Sequence, residues 1–332
     1  MKPKDSNFRT LIQAVDIREN IDYYKKTMFI GSCFTENIGR RMQAGKFPTA
    51  VNPFGILYNP VSVKDALMSI LTGADFDEDN LINHNGLWHS LMHHGSFSSK
   101  SKTECLSKIN SALSKAGEFL KEAEFLFVTF GTAWLYEYKK TGEAVGNCHK
   151  LPAGEFDRRL LNADEITIEF YQLLNALESY NSDLKIVLSV SPVRHLKDGF
   201  AGNSLSKSIL RVSAAQIAER FEHVHYFPSY EIMTDDLRDY RFYAKDMVHP
   251  SEQASDYIFD FFSETFFNTE TKQRLKEISA IVHGANHRVL HPGSSEYQAF
   301  LDSMQKKIAF QKEKQPALNF SEEEEYFSGL KQ

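Results

Sequence analysis

The stretch Thr27-Met28-Phe29-Ile30-Gly31-Ser32-Cys33-Phe34-Thr35-Glu36-Asn37 passes, across a single glycine, from an apolar run into a helical pattern. Thr27 to Ile30 is β-branched or aromatic and is followed by turn residues, which predicts a buried strand. From Thr35 to Met42 the apolar spacing becomes helical. A side chain at such a turn is exposed at the sheet edge. The helix N-terminus favours negative charge there, both a thiolate and a developing oxyanion. Gly31 permits the tight turn and close backbone approach. Ser32 and Cys33 are therefore candidate nucleophiles. In the plainer alternative Ser32 or Thr35 caps the helix and Cys33 fills a small space in the core.

Three further apolar runs read as buried strands: Glu124 to Phe130, Lys185 to Val190 and His223 to Phe227. Helical periodicity marks Val61 to Leu71, Cys105 to Ala123, Asp164 to Leu177, Ser206 to Phe221 and Ser251 to Phe266. Strands alternating with helices predict an α/β fold whose parallel sheet is covered on both faces. Ligands of such sheets sit at the carboxyl ends of the strands. The long gap from 31 to 124 holds the turn-rich Asn52-Pro-Phe-Gly-Ile-Leu-Tyr-Asn-Pro60 and a His-rich stretch from His84 to His94. Beyond residue 268 the pattern becomes a polar tail with helical pieces, and Glu322 to Glu325 reads as a solvated face or frayed end.

A length of 332 residues with 42% hydrophobic and 25% charged residues is ordinary for a globular protein with a sizeable core. The net charge of −6 speaks against nucleic acid as the main partner. Three cysteines, Cys33, Cys105 and Cys148, share no CxxC spacing and cannot all pair within the chain. Met1 to Asp16 is mixed and charged, unlike a secretory signal, and no run approaches a membrane span. The expectation is a cytoplasmic protein with neither membrane nor nucleic-acid partner; nothing in the pattern sets an oligomeric state.

Near the other end stands Asp246-Met-Val-His-Pro-Ser251. Pro250 and Ser251 mark a helix start, which leaves His249 at the end of a loop. An acid three residues before a histidine can bond Nδ1 and turn Nε2 toward a nucleophile. Alone, the histidine reads as locally bonded; paired with a nucleophile turn, it reads as a base.

With these residues the chain resembles the SGNH/GDSL hydrolase superfamily, and Gly31-Ser32-Cys33-Phe34 resembles the naming motif of its bacterial GSCFA branch. The likeness extends to Asn52–Pro60, Phe130-Gly-Thr-Ala-Trp-Leu-Tyr136, Asn147-Cys-His-Lys150, Ser191-Pro-Val-Arg194 and Asp246-Met-Val-His249. It implies a three-layer α/β/α sandwich of SGNH or flavodoxin-like type over residues 1–268. The His-rich segment near 84–103 would be inserted in it, and a mostly helical appendage would span 269–332. It implies an acyl hydrolase working through an acyl-enzyme, with Cys33 or Ser32 as nucleophile, His249 as base and Asp246 orienting it. A gapless match to Gly-Asp-Ser-Leu favours Cys33, and a related group of polysaccharide acetyltransferases carries cysteine at this place. A thiol is also the stronger nucleophile near neutral pH. The alternatives are an acyltransferase acting on a glycan and a non-catalytic glycan- or acyl-binding protein.

The resemblance also implies an oxyanion hole of backbone N–H groups at the nucleophile and at Gly55, completed by an asparagine in a Gly-x-Asn block. Here that block reads Gly131-Thr132-Ala133, and alanine cannot donate. Asn147, His149, Trp134 Nε1–H and the Thr132 hydroxyl are the candidate replacements. Arg194 lies where substrate loops belong and could bind a carboxylate or phosphate, or else form a structural ion pair. His84, Trp88, His89, His93 and His94 crowd together, with His89 and His93 at the spacing of a helical metal pair. No third ligand completes a pattern, so these residues are expected to line a cleft or hold a lid rather than bind metal. No cofactor is expected; a coenzyme A thioester would enter only as donor to a transferase. The substrate would be a small-molecule or glycan ester.

Overall fold

The computed structural model describes residues 10–13, 20–286 and 294–328. Most of Met1 to Asp16 lies outside them. The strands are β1 (Lys26–Gly31), β2 (Thr49–Val51), β3 (Ile82–His84), β4 (Leu87–His89), β5 (Ala123–Phe130), β6 (Trp134–Tyr138), β7 (Phe156–Leu160), β8 (Lys185–Val190) and β9 (Val224–Phe227). Five of them form one sheet in the order β2-β1-β5-β8-β9, every pair parallel. The four predicted strands are all in it, and the short β2 joins at the edge.

Alternation along each strand sends side chains to two cores. Met28, Ile30, Leu126, Val128, Ile186 and Leu188 face one core with α2 (Pro60–Thr72), α3 (Lys102–Lys121), α4 (Ala163–Tyr180) and α5 (Gly199–Arg220). Phe29, Phe125, Phe127 and Val187 face the other. There they meet α1 (Cys33–Ala44), the π-turn (Ile232–Leu237) that follows the short α6 (Ser229–Glu231), and α7 (Glu252–Phe266). The result is the expected sandwich of helices, parallel sheet and helices. The chain continues as α8 (Thr269–Ala285), α9 (Ser295–Lys314) and α10 (Ser321–Phe327). This helical region includes a correction: Glu323 is not solvated but buried against Lys46 at 2.8 Å.

Two hairpins stand apart from the sheet, β3–β4 and β6–β7. The first overturns the helical reading of His89 and His93. His89 ends β4, and His93 lies in the turn beyond it, so the two do not share a helix face. Among the described residues no helix is long and apolar enough to cross a membrane.

Candidate active site

In a parallel sheet all strands end at one edge, so the turns after β1, β5 and β8 converge. At the first of these turns, Gly31 has φ +135°, and a Cβ there would sit 2.2 Å from Thr129 O. Its N–H donates to Asn52 Oδ1 at 2.9 Å, and its carbonyl accepts from Leu57 N. Ser32 follows as the N-cap of α1, only 1% exposed, with its Oγ buried and unpartnered. Cys33 begins the helix and is half-buried, while its neighbours Ser32 and Phe34 are buried, so it is the side chain this turn leaves partly open. Burial pushes its thiol pKa up, while the backbone N–H groups of Cys33 and Phe34 and the Lys207 ammonium pull the other way.

His249 is oriented by Asp246. The ring Nδ1 lies 2.7 Å from Asp246 Oδ2, and a carboxylate can only accept, so Nδ1 carries the proton and Nε2 is left with its lone pair. Asp246 Oδ1 accepts from the N–H groups of His249 and Val248. Those two bonds, and then the ring, hold the carboxyl down at about 2. The loop is pinned to the turn after β8. Arg194 N–H donates to Val248 O at 3.1 Å, and its guanidinium donates to Met247 O and lies 3.8 Å over the Tyr243 ring. Arg194 thus fastens the loop, through stacking and carbonyl contacts; among the described residues it forms no ion pair. The His249 and Asp246 side chains are 47% and 50% exposed, and among the described residues no hydrogen bond joins His249 to Cys33 or Ser32.

The expected oxyanion donors fare differently. Gly55 has φ +77°, and its N–H donates to Asn52 O at 2.7 Å, so it is spent within its own turn. Gly131 and Thr132 both donate their N–H groups to Tyr58 O. The Thr132 hydroxyl pairs with Ser206 Oγ, which also accepts from Ala133 N at 2.8 Å. The segment Gly131-Thr132-Ala133 is therefore tied down by Ser206. His149 bonds Ser90 O through Nε2, Asn147 Oδ1 accepts from His149 N, and the Gly146 and Asn147 N–H groups clasp Leu91 O. Asn147 and His149 thus form a clasp on the turn after β4. Trp134 keeps a buried, unpartnered Nε1–H, with the Arg158 guanidinium 3.9 Å over its ring. His89 uses both ring nitrogens, on Ser98 Oγ and His84 O, and its ring lies tilted against His149 at 4.4 Å. Among the described residues no group of three or more possible metal ligands gathers.

Two residues that sequence reasoning missed stand close to the turn. Asn52, with Oδ1 held by Gly31 N–H, has a buried Nδ2 without a partner. Buried donors are nearly always satisfied, so a spare amide here is a candidate oxyanion donor. Lys207 is 1% exposed and donates through Nζ to Gly131 O and Ser191 O, each at 2.7 Å. Burial lowers its pKa to about 7. A lysine in register with Leu210, Ala214 and Ile217, on the buried stripe of α5, was the signal available.

Two solved structures resemble this chain. A carbohydrate esterase of family 3 from Talaromyces cellulolyticus matches at 9% identity and a TM-score of 0.35, over 76% of this chain and 98% of that one. An acetyl xylan esterase from the rumen bacterium Butyrivibrio proteoclasticus matches at 13% and 0.37, over 73% of this chain and 64% of that one. At these values neither carries an argument about chemistry. No curated protein matches. Residues 278–329 match the model of the GSCFA domain protein C-terminal domain. The GSCFA family model matches residues 26–262, from β1 into α7, and the chain belongs to that family.

Proposed function

We propose that the protein is an acyl hydrolase for carboxylic esters or thioesters, with Cys33 as nucleophile, His249 as base and Asp246 as its orienting acid. Two observations support this reading: a half-buried thiol at the helix N-terminus after β1, and an imidazole already fixed by a carboxylate on a loop tied to the turn after β8. His249 Nε2 would take the thiol proton as Sγ attacks the acyl carbon. The N–H groups at the start of α1 and a side-chain donor from Asn52 or Trp134 would face the oxyanion. Collapse would expel the alcohol or thiol with the proton from His249. Water, deprotonated by the same ring, would then release the acid from the acyl-cysteine. A sugar hydroxyl in place of that water makes the enzyme a glycan acyltransferase, with coenzyme A thioester as a suitable donor. No bound cofactor is needed, and a thiol nucleophile suits the reducing cytoplasm.

Catalysis requires the half-exposed His249 loop to close on Cys33, since catalytic hydrogen bonds of free enzymes are often made only with substrate bound. Hydrolysis of p-nitrophenyl acetate and of an acyl thioester tests the reading. Cys33→Ala and His249→Ala should each lose about a thousandfold or more in kcat/KM, and Ser32→Ala little. Undiminished turnover in Cys33→Ala would sink it. The unclosed His249–Cys33 pair favours one second reading, a glycan- or acyl-binding protein without turnover. A thiol-reactive acylating probe that labels Cys33 in the native chain but not in His249→Ala counts against it.

A further inference from the structure

We propose that Lys207 is a positioning cation for the nucleophile turn: its ammonium, seated on Gly131 O and Ser191 O, stabilises negative charge on Cys33 Sγ as His249 withdraws the thiol proton. The placement follows from register. Gly31 pairs with Thr129 across β1 and β5, and Ser32 N–H bonds Thr129 O at 3.3 Å, so the start of α1 lies beside the end of the strand that leads to Gly131. Strand spacing is about 4.8 Å, and Lys207 Nζ lies 2.7 Å from the Gly131 carbonyl. The side chain reaches this point from α5, under the exits of β5 and β8, with 1% of its surface exposed.

Its company makes the charge meaningful. Nζ donates to two neutral carbonyls, and among the described residues no carboxylate lies within ion-pair distance. Two ionisable groups feel this charge: it disfavours protonation of His195, in the turn after β8, and it favours the Cys33 thiolate, which in turn favours the ammonium. As mere fastening for two loops, an ammonium is a costly choice, because its desolvation is not offset by an opposite charge. Opposite a thiolate, it offsets the burial that otherwise disfavours ionised Cys33. Lys207 touches no substrate; it acts through Cys33.

The assignment rests on Cys33 as the acyl-accepting thiol, but its test needs no turnover. Alkylation of the full chain by iodoacetamide is followed against pH, with Cys33 and Cys148 quantified separately by peptide mass mapping. In Lys207→Met the Cys33 midpoint should move to higher pH and its rate at pH 7 should fall about tenfold, one unit of ionisation. Cys148, which faces Lys197 instead, should keep its profile. A folded Lys207→Met chain with an unchanged Cys33 midpoint overturns the proposal. If that variant does not fold, the couple is read from the other side. The ε-carbon resonance of Lys207, followed by 13C NMR, should titrate at lower pH in Cys33→Ala than in the native chain, and an unchanged midpoint overturns the proposal equally. Undiminished ester turnover in Cys33→Ala would instead remove the hydrolase reading and leave the couple standing.

Discussion

A Cβ at position 31 would meet the Thr129 carbonyl oxygen, in a backbone region that side chains rarely adopt. Both costs fall on Gly31→Ala, together about 3 kcal/mol or more, and neither strand can move without opening the β1–β5 ladder. That variant should melt well below the native chain or fail to accumulate as folded protein, as circular dichroism would report. His93 sets a different limit. It is buried, stacked at 4.3 Å on Phe54 and bonded to Ser90 Oγ, and burial lowers its pKa to about 3. The unfolded chain takes up this proton near pH 6.5 and the folded chain only near 3, so stability falls as pH drops through that window. At pH 4 the loss from this group is at most about 3 kcal/mol. His93→Phe, if it packs, should flatten the acid side of a Tm-against-pH curve, and an unchanged slope would assign the acid loss elsewhere. Asp246 acts lower on the scale: its carboxyl is held at about 2 against 3.8 in the unfolded chain, so its contribution to stability is in place above that range and is lost as pH falls from near 3.8 to about 2.

The loop from Tyr243 to Pro250 is the element on which the proposed chemistry depends, and its anchor is a single arginine. Ala244 N–H bonds His249 O, Ser251 N–H bonds Phe242 O, and Arg194 ties Met247 and Val248 to the turn after β8. Arg194→Ala removes the guanidinium but keeps the backbone bond. The expected result is a tenfold or larger fall in kcat with a Tm change of only a few degrees, because the loop is largely exposed. An unchanged kcat would free Arg194 from this role. The elements that position the site were legible in the sequence because they are long and strongly patterned: β5 and β8 are nearly continuous apolar runs, and Pro250-Ser251 does precede α7. The hairpins were not, because three to five residues carry too little period to separate strand from helix. Asn85-Gly86, both at positive φ between His84 and Leu87, was the missed turn signal that separates β3 from β4. Spacing alone made His89 and His93 look helical. Cys33 and His249 were visible from residue type and order. Asn52 Nδ2 and Lys207 were not, because what distinguishes them is burial without an ordinary partner, which only packing reveals.

At the scale of the molecule, the C-terminal helices decide whether the sandwich stands alone. Ile278, Ile281, Leu301, Met304, Ile308, Leu318, Phe320 and Phe327 are buried in the same cluster as Phe29, Phe47 and Phe127 of the α/β body. Polar ties cross the same seam: Gln315 Nε2 donates to Tyr23 O, Arg274 lies 4.8 Å over the Tyr23 ring, and Lys46 pairs with Glu323. Tyr23 itself stacks on Phe47, which stacks on Phe267, so the contacts run as one packed chain of rings into the layer behind β1. Each of the large apolar side chains contributes roughly 1.5–3 kcal/mol by leaving water, and removing them would strip the outer side of the helices that cover β1. The full chain should therefore unfold in one cooperative transition. A chain ending at Asn268 should lose more than about 10 °C in Tm or aggregate through its exposed phenylalanines. Calorimetry separates the alternatives. Two transitions in the full chain, or an unshifted transition in the shortened one, would mean that α8 to α10 fold apart from the sheet. A single transition lost on truncation would mean that the geometry around Cys33 is held, through α1 and Phe47, by helices far along the chain.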